Sequence, residues 1–158
     1  MTVPADHFKD AARRFASGVT LVTVATGDIP HGMTASAFSS VSLEPPVVLV
    51  CLEKTSQTRA MVTEAGTFVV NVLAADQEHI AREFSLPGMK SFTDHIHREG
   101  IDGAPVIDGA IAWFECRVTD VVDGGDHDVF LGNVIDCGAH PGEPLLYYDR
   151  KYRSLHDQ

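Results

Sequence analysis

The sequence predicts a mainly β fold of the α+β class, a barrel of strands under short helical covers. Three observations carry that expectation. At least six runs rich in β-branched residues recur along the 158-residue chain, clusters of glycine, proline and aspartate separate them, and only two or three short stretches have helical spacing. Strands in that excess over helices close or sandwich a core and leave the helices to cap it.

Behind Pro4, the residues Phe8, Ala12 and Phe15 recur at i, i+4 and i+7, which fits an amphipathic helix that stops before Gly18 and whose apolar stripe caps a core. The run Val19 to Ala25 is a strand, ended by the turn Gly27-Asp28-Ile29-Pro30. His31 to Ser42 is a second extended segment, built from small and polar residues that are unusual in a core strand. Glu44-Pro45-Pro46 breaks it, because a residue before proline avoids the helical region, and Val47 to Leu52 then reads as a buried strand. Ser56 caps a helix over Gln57 to Ala65, with Gly66 as its terminating residue. Thr67 to Leu73 is the next strand. Asp76 is expected to cap a short helix through Phe84, and Leu86-Pro87-Gly88 opens a polar loop reaching Gly103, a length more often functional than idle. Ala110 to Val122 and His127 to Cys137 form a long hairpin around Asp123-Gly124-Gly125-Asp126, and Leu145 to Tyr148 is a last strand. No internal repeat or low-complexity segment interrupts the pattern, so one domain over residues 1–158 is expected.

With 12 Lys and Arg against 22 Asp and Glu the net charge is −10, a field that repels phosphate backbones and anionic membrane surfaces, so neither nucleic acid nor a membrane is an expected partner. Cys51, Cys116 and Cys137 sit among apolar or β-branched neighbours without CxxC spacing, as buried thiols in a reducing compartment would. No signal-like or membrane-length apolar run is present, and a soluble cytoplasmic protein is expected.

The chain contains no GxSxG elbow, GxxxxGK[ST] loop, HExxH or strand-to-helix GxGxxG, so any nucleotide binds outside a Rossmann arrangement. Lys54-Thr55-Ser56-Gln57-Thr58-Arg59 combines two cations, three hydroxyls and the free N–H groups of a helix start. It fits a phosphate cradle, and equally an ordinary cap with solvated charges. The small residues Gly32 to Ala37 let a flat ligand approach the backbone, or let a helix or second subunit pack closely. Asn71, inside an apolar strand, needs hydrogen-bond partners from the backbone or from a ligand. His127, at the hairpin tip beside Asp126, reaches over a pocket mouth or is merely solvated. His95 and His97 share a face if extended, but no third ligand has credible metal spacing, and a solvated loop is the simpler reading; no metal is expected.

Phe15-Ala16-Ser17-Gly18-Val19-Thr20, the stretch His31 to Ser42 with its GMTASAFSSVS core and following prolines, Val69-Val70-Asn71-Val72-Leu73 and Gly125-Asp126-His127 occur in an order that resembles the flavin reductase family, from about Phe8 to Tyr152. More closely, the chain resembles the small reductase components of two-component flavin-dependent aromatic monooxygenases. The resemblance implies an FMN-binding split β-barrel with Greek-key topology and a homodimer with flavin near the subunit interface. It implies an NAD(P)H-dependent reductase that passes hydride from NADH or NADPH to FMN or FAD and supplies reduced flavin to a partner monooxygenase. By position, Met33, Thr34, Ala35 and Ser36 would line the flavin ring and Ser39, Ser40 and Val41 would continue the wall. Lys54, Ser56 and Thr58 would take the phosphate; Cys51, Leu52 and Asn71 would complete the pocket, with Phe84 closing it and His127 meeting the nicotinamide. The loop from Ser85 to Gly103 is the expected lid. A non-catalytic flavin- or haem-binding module, and a flavoprotein that keeps its FMN and reduces another acceptor, stay open at this point.

Overall fold

The computed structural model describes residues 1–95 and 97–156. Its strands are β1 (Ser17–Gly18), β2 (Thr20–Thr26), β3 (Ile29–Ala35), β4 (Phe38–Leu43), β5 (Pro46–Glu53), β6 (Thr67–Val72), β7 (His97–Glu99), β8 (Pro105–Ile107), β9 (Ala112–Asp123), β10 (His127–Ala139), β11 (Leu146–Tyr148) and β12 (Lys151–Arg153). Three α-helices, α1 (Ala5–Ala12), α2 (Gln57–Ala65) and α3 (Glu78–Phe84), accompany them.

Seven strands form one antiparallel sheet in the order β3-β2-β6-β9-β10-β5-β4. Successive neighbours β6, β9 and β10 are followed in space by β5, which precedes β6 in the chain and reaches it through α2; this is Greek-key order. The two edge strands, β3 and β4, are joined by only Ser36 and Ala37, so the sheet must curl until its edges meet. Among the described residues no ladder closes that seam. The Cys51 N–H donates to the Ala37 carbonyl at 3.1 Å and so carries the β4–β5 pairing into the β3–β4 connection. The expected continuous segment His31 to Ser42 is therefore two strands, because the chain passes there from one edge of the sheet to the other.

Strands β2 and β6 are buried on both faces, which explains their nearly unbroken apolar sequences. One face packs Val22, Val24, Val48, Val50, Leu52, Phe68 and Phe130 against Met61 and Val62 of α2. The other sets Leu21 and Leu73 against Ile80, Ala81 and Phe84 of α3, with Phe92. Both helices are thus fixed over the sheet by apolar contact. Helix α2 keeps its expected bounds: the Ser56 hydroxyl accepts the Arg59 N–H at 3.1 Å, and Gly66 ends the helix at φ 69°, where a side chain would be strained.

Four expectations are corrected. Helix α1 buries none of its residues and caps no core; Phe8 and Phe15 are 64% and 82% exposed. Asp76 does not cap α3 but lies in a 3-10 turn, Ala75–Gln77, where the Gln77 side chain accepts the Ala74 N–H at 3.0 Å. The Ser85 to Gly103 segment is not a bare loop: Phe92 is buried, and β7 pairs with β8. Of the three thiols only Cys116 is buried, Cys51 being half-buried and Cys137 exposed.

Candidate functional site

A cleft of about 570 Å³ opens between β3, the N-terminus of α2 and the segment following α3. Its floor is His31, Gly32, Met33 and Thr34; Ser56 and Thr58 form one wall, and Phe84 with Lys90 the other. Strand β3 is held there because the Thr34 hydroxyl donates to the Ala81 carbonyl of α3 at 2.7 Å, tying floor to wall. Gly32 leaves little room at the back of the floor: a Cβ would stand 3.1 Å from the Val22 carbonyl oxygen and 3.2 Å from Thr23 Cγ2.

Two polar atoms in this lining are buried and have no protein partner among the described residues, Thr58 Oγ1 and His31 Nδ1. Thr58 is 1% and His31 4% exposed. A buried donor or acceptor left unmade costs about 1–3 kcal/mol, so both positions ask for a polar ligand or bound water. Burial, reinforced by the nearby Lys90 charge, holds the His31 imidazole below the usual histidine range, hence neutral at pH 7. The first turn of α2 adds N–H groups that the helix itself does not use. The cleft therefore offers hydroxyl, imidazole, ammonium and amide donors beside apolar Met33 and Phe84, a combination suited to an anionic ligand carrying a flat ring.

Of the residues singled out in the sequence, Met33, Thr34, Ser56, Thr58 and Phe84 meet in this cleft. Ala35 is buried one position further along β3, its carbonyl taking the Thr20 hydroxyl. Ser36 opens instead on a second groove of about 440 Å³ beside α1, whose charged residues Arg13 and Asp149 pair with one another at 3.4 Å. Ser39, Ser40 and Val41 lie exposed on the edge strand β4.

The remaining residues singled out in the sequence lie outside the lining of this cleft. Leu52 and Cys51 point to opposite faces of β5, as successive strand residues must, and Leu52 is fully buried in the core. Asn71 is also fully buried: its amide donates to Leu21 O at 3.1 Å and its Oδ1 accepts the Ile107 N–H at 2.8 Å, so it fastens β8 to the sheet. Lys54 turns away from the cleft to Asp123, 2.8 Å from Nζ, and that hydrogen bond holds the Asp123 carboxyl below its ordinary range. Arg59 binds the buried Asp128 at 2.6 Å. His127 stands opposite Glu53 in the β10–β5 ladder, and Glu53 lines the cleft; the imidazole Nδ1 is 2.7 Å from Asp126.

His31 and Lys90 were not singled out as site residues. The first is hidden by adjacency to the small-residue motif; the second lies in a polar loop without any pattern that marks an inward-facing cation. His95, read as solvated, has its ring against Phe84 at 5.5 Å and its Nε2 3.0 Å from Glu83. Among the described residues no group of three His, Cys, Asp or Glu side chains could hold a metal ion, and no helix is long and apolar enough to cross a membrane.

Comparison with known proteins places this geometry in context. Residues 12–156 match the family model described as a flavin reductase like domain. The reductase component of a 4-nitrophenol 4-monooxygenase/4-nitrocatechol 2-monooxygenase from Rhodococcus opacus is 38% identical over 149 residues, 92% of this chain and 78% of that protein. An NADH-dependent FMN reductase of Agrobacterium fabrum is 39% identical over 140 residues, 89% of this chain and 80% of its own. Among solved structures, the NADH:FAD oxidoreductase of Streptomyces globisporus C-1027 superposes with a TM-score of 0.91 at 39% identity, covering 99% of this chain and 98% of that one.

Proposed function

The chain belongs to the flavin reductase like family, and from that membership we propose that it is an NADH-dependent flavin reductase that supplies reduced FMN or FAD to a partner monooxygenase. The observation that carries the reading to this molecule is the pair of buried, unpartnered polar atoms, His31 Nδ1 and Thr58 Oγ1, in a cleft of flavin-compatible size.

Flavin supplies the ring that accepts hydride from the nicotinamide, so the protein needs no catalytic triad. Its residues position and shield. Met33 and Thr34 of β3, which line the cleft, would hold the flavin ring, and Phe84 opposite them would keep water from it. Ser56, Thr58 and the first turn of α2 receive the phosphate. His127, on the hairpin next to Glu53, meets the nicotinamide side. Orientation of two stacked rings accounts for much of such a rate, because alignment removes most of the entropic barrier.

One domain spanning residues 1–158 and a homodimer complete the proposal. Exposed Phe8, Phe15, Val41 and Leu43 support self-association, since large apolar side chains on α1, just beyond it and on the edge strand β4 are covered by a second copy at little cost. Light scattering on a size-exclusion column tests it, a mass near 34 kDa being twice the 17.1 kDa chain.

The deciding experiment is NADH and NADPH oxidation by purified protein with and without added FMN, FAD or riboflavin. Saturable oxidation that depends on added flavin supports the reading. Flavin binding without oxidation by either nucleotide refutes it and leaves a binding module.

A further inference from the structure

The two walls of the cleft are joined by a contact between exposed side chains. Gln57 Nε2, on the first residue of α2, donates to Met89 Sδ, in the segment after α3, at 3.4 Å. Gln57 lines the cleft, as do Gly88 and Lys90 on either side of Met89. Both ends of this bridge are fixed. Gln57 follows the Ser56 cap, and on the other wall Phe84 and Phe92, 1% and 4% exposed, anchor the stretch that carries Met89. Lys90 Nζ ties that stretch to the end of α3 by donating to the carbonyls of Glu83 at 3.1 Å and Pro87 at 3.5 Å.

A thioether is a weak acceptor, so the bridge opens readily. It is also chemically alterable. Met89 is 64% exposed, whereas Met61 is buried in the core and Met33 is half-buried in the cleft floor. Oxidation turns an accessible thioether into a sulfoxide, a polar group whose oxygen accepts an amide N–H far better than sulfur does. The oxidant is hydrogen peroxide. A flavin reductase generates it whenever reduced flavin meets O2 before reaching a partner: the flavin gives up two electrons and two protons, and O2 becomes H2O2. At Met89 a sulfur lone pair then takes one peroxide oxygen. The O–O bond breaks, an S–O bond forms, sulfur loses two electrons and the other oxygen leaves as water.

We propose that Met89 is an oxidation site whose sulfoxide tightens a strap between α2 and the segment after α3 and so slows flavin exchange. The proposal rests on the flavin reading above and adds a brake to it, since peroxide from turnover without a coupled partner then lowers the reductase's own rate. A strap across the path acts in both directions, so entry and exit slow together and affinity stays nearly constant.

The test is stopped-flow association and dissociation of FMN, read by flavin fluorescence before and after limited treatment with hydrogen peroxide, with peptide mass spectrometry locating each added oxygen. Met89 is expected to gain oxygen before Met33 and Met61. Oxidised wild type is expected to bind and release FMN about three- to fivefold more slowly, the size of one net hydrogen bond, with Kd within about twofold. Methionine sulfoxide reductase restores both rates. Met89→Leu and Gln57→Leu, each first shown to unfold at the wild-type temperature, are expected to exchange FMN equally fast with and without peroxide, the first for want of sulfur and the second for want of a donor. Oxidation of Met33 or Met61 ahead of Met89, unchanged rates in oxidised wild type, or a slowing that persists in either variant overturns the proposal while leaving the flavin reading intact. So does a loss of affinity with an unchanged association rate, which would mark damage to the site rather than a strap across it. Failure of untreated wild type to bind FMN or FAD overturns the flavin reading itself and the proposal with it.

Discussion

Asn71→Leu separates two roles that one residue type serves equally well, ligand contact and internal brace. The side chain is fully buried and makes three weak to moderate donor contacts, to Leu21 O at 3.1 Å, Thr23 Oγ1 at 3.3 Å and Pro105 O at 3.4 Å, while its Oδ1 accepts the Ile107 N–H at 2.8 Å. Leucine is close in volume, so the cost is polar. The Ile107 N–H becomes an unmade buried donor, about 1–3 kcal/mol, and the lost amide contacts add about 1 kcal/mol net. Pro105 O keeps the Thr23 hydroxyl, so it adds little. The sum is about 2–4 kcal/mol, equivalent to a fall in Tm of roughly 5–15 °C for a chain of this size. Thermal unfolding by circular dichroism reads that loss, and flavin affinity measured well below the transition is expected to match wild type. An unchanged Tm together with a loss of flavin affinity would falsify the brace and return Asn71 to the ligand site.

Three further outcomes follow from the packing and the titrating groups. Gly132→Ala is expected to lower stability by about 1–3 kcal/mol, because its Cβ would stand 2.6 Å from Phe68 Cζ and 2.8 Å from Cys116 Cβ, both in the core; urea unfolding with an unshifted midpoint contradicts this. Thiol labelling by a disulfide reagent is expected to proceed in the order Cys137, Cys51, Cys116, the last only on unfolding, since burial pushes the Cys116 thiol up to about 12; early labelling of Cys116 would mean that β9 opens readily. Because burial lowers the His31 pKa, the unfolded chain binds the extra proton first, and stability falls as pH drops from about 6.5 through the folded-state value. His31→Gln is expected to flatten that limb of the pH–stability curve; an identical acid limb in the variant would place the titration elsewhere.

The legible parts of the fold were those written as uninterrupted local signals. The β-branched run of β2, the Ser56 cap with its Gly66 stop, and the long β9–β10 hairpin each carry their own boundaries. What the sequence hid was relational. Nothing in His31 to Ser42 marks the place where the chain leaves one sheet edge for the other, because Ser36 and Ala37 are as extended and small as their neighbours. Phe8 and Phe15 have the spacing of a buried stripe, yet spacing cannot say whether the covering surface belongs to the same chain. The same limit governed the site. Met33, Thr34, Ser56, Thr58 and Phe84, which meet in the cleft, were recoverable from motifs, whereas the pairing of Lys54 with Asp123 and Asp128, across about 70 residues of chain, was not. Partner choice among charges is a tertiary property.

That redistribution of charge bears on turnover. Around the start of α2, the cations Lys54 and Arg59 face Glu53, Asp123, Asp126 and Asp128, so the side of the cleft nearest the hairpin is net negative, within a chain of net charge −10. Flavin phosphate and nicotinamide dinucleotide are both anions, and the long-range field opposes their entry. What offsets that field is short-range: the cleft is lined by polar groups, Ser56, Thr58 and the first turn of α2 among them, and hydrogen bonds to an anion are strong where water is partly excluded. Such a site releases its ligand once those few contacts break, and the surrounding field speeds departure. A reductase whose product must reach a separate oxygenase needs that balance, since every contact added to hold oxidised flavin also slows the release of reduced flavin. A salt series of FMN affinity tests the balance directly. Added salt screens the repulsive field and the local contacts together, so the two contributions oppose one another, and affinity is expected to vary weakly between about 0.05 and 0.5 M. A steep loss of affinity with salt would mean that attractive charge dominates, and Lys54 or Arg59 would then have to exchange a carboxylate for the phosphate on binding.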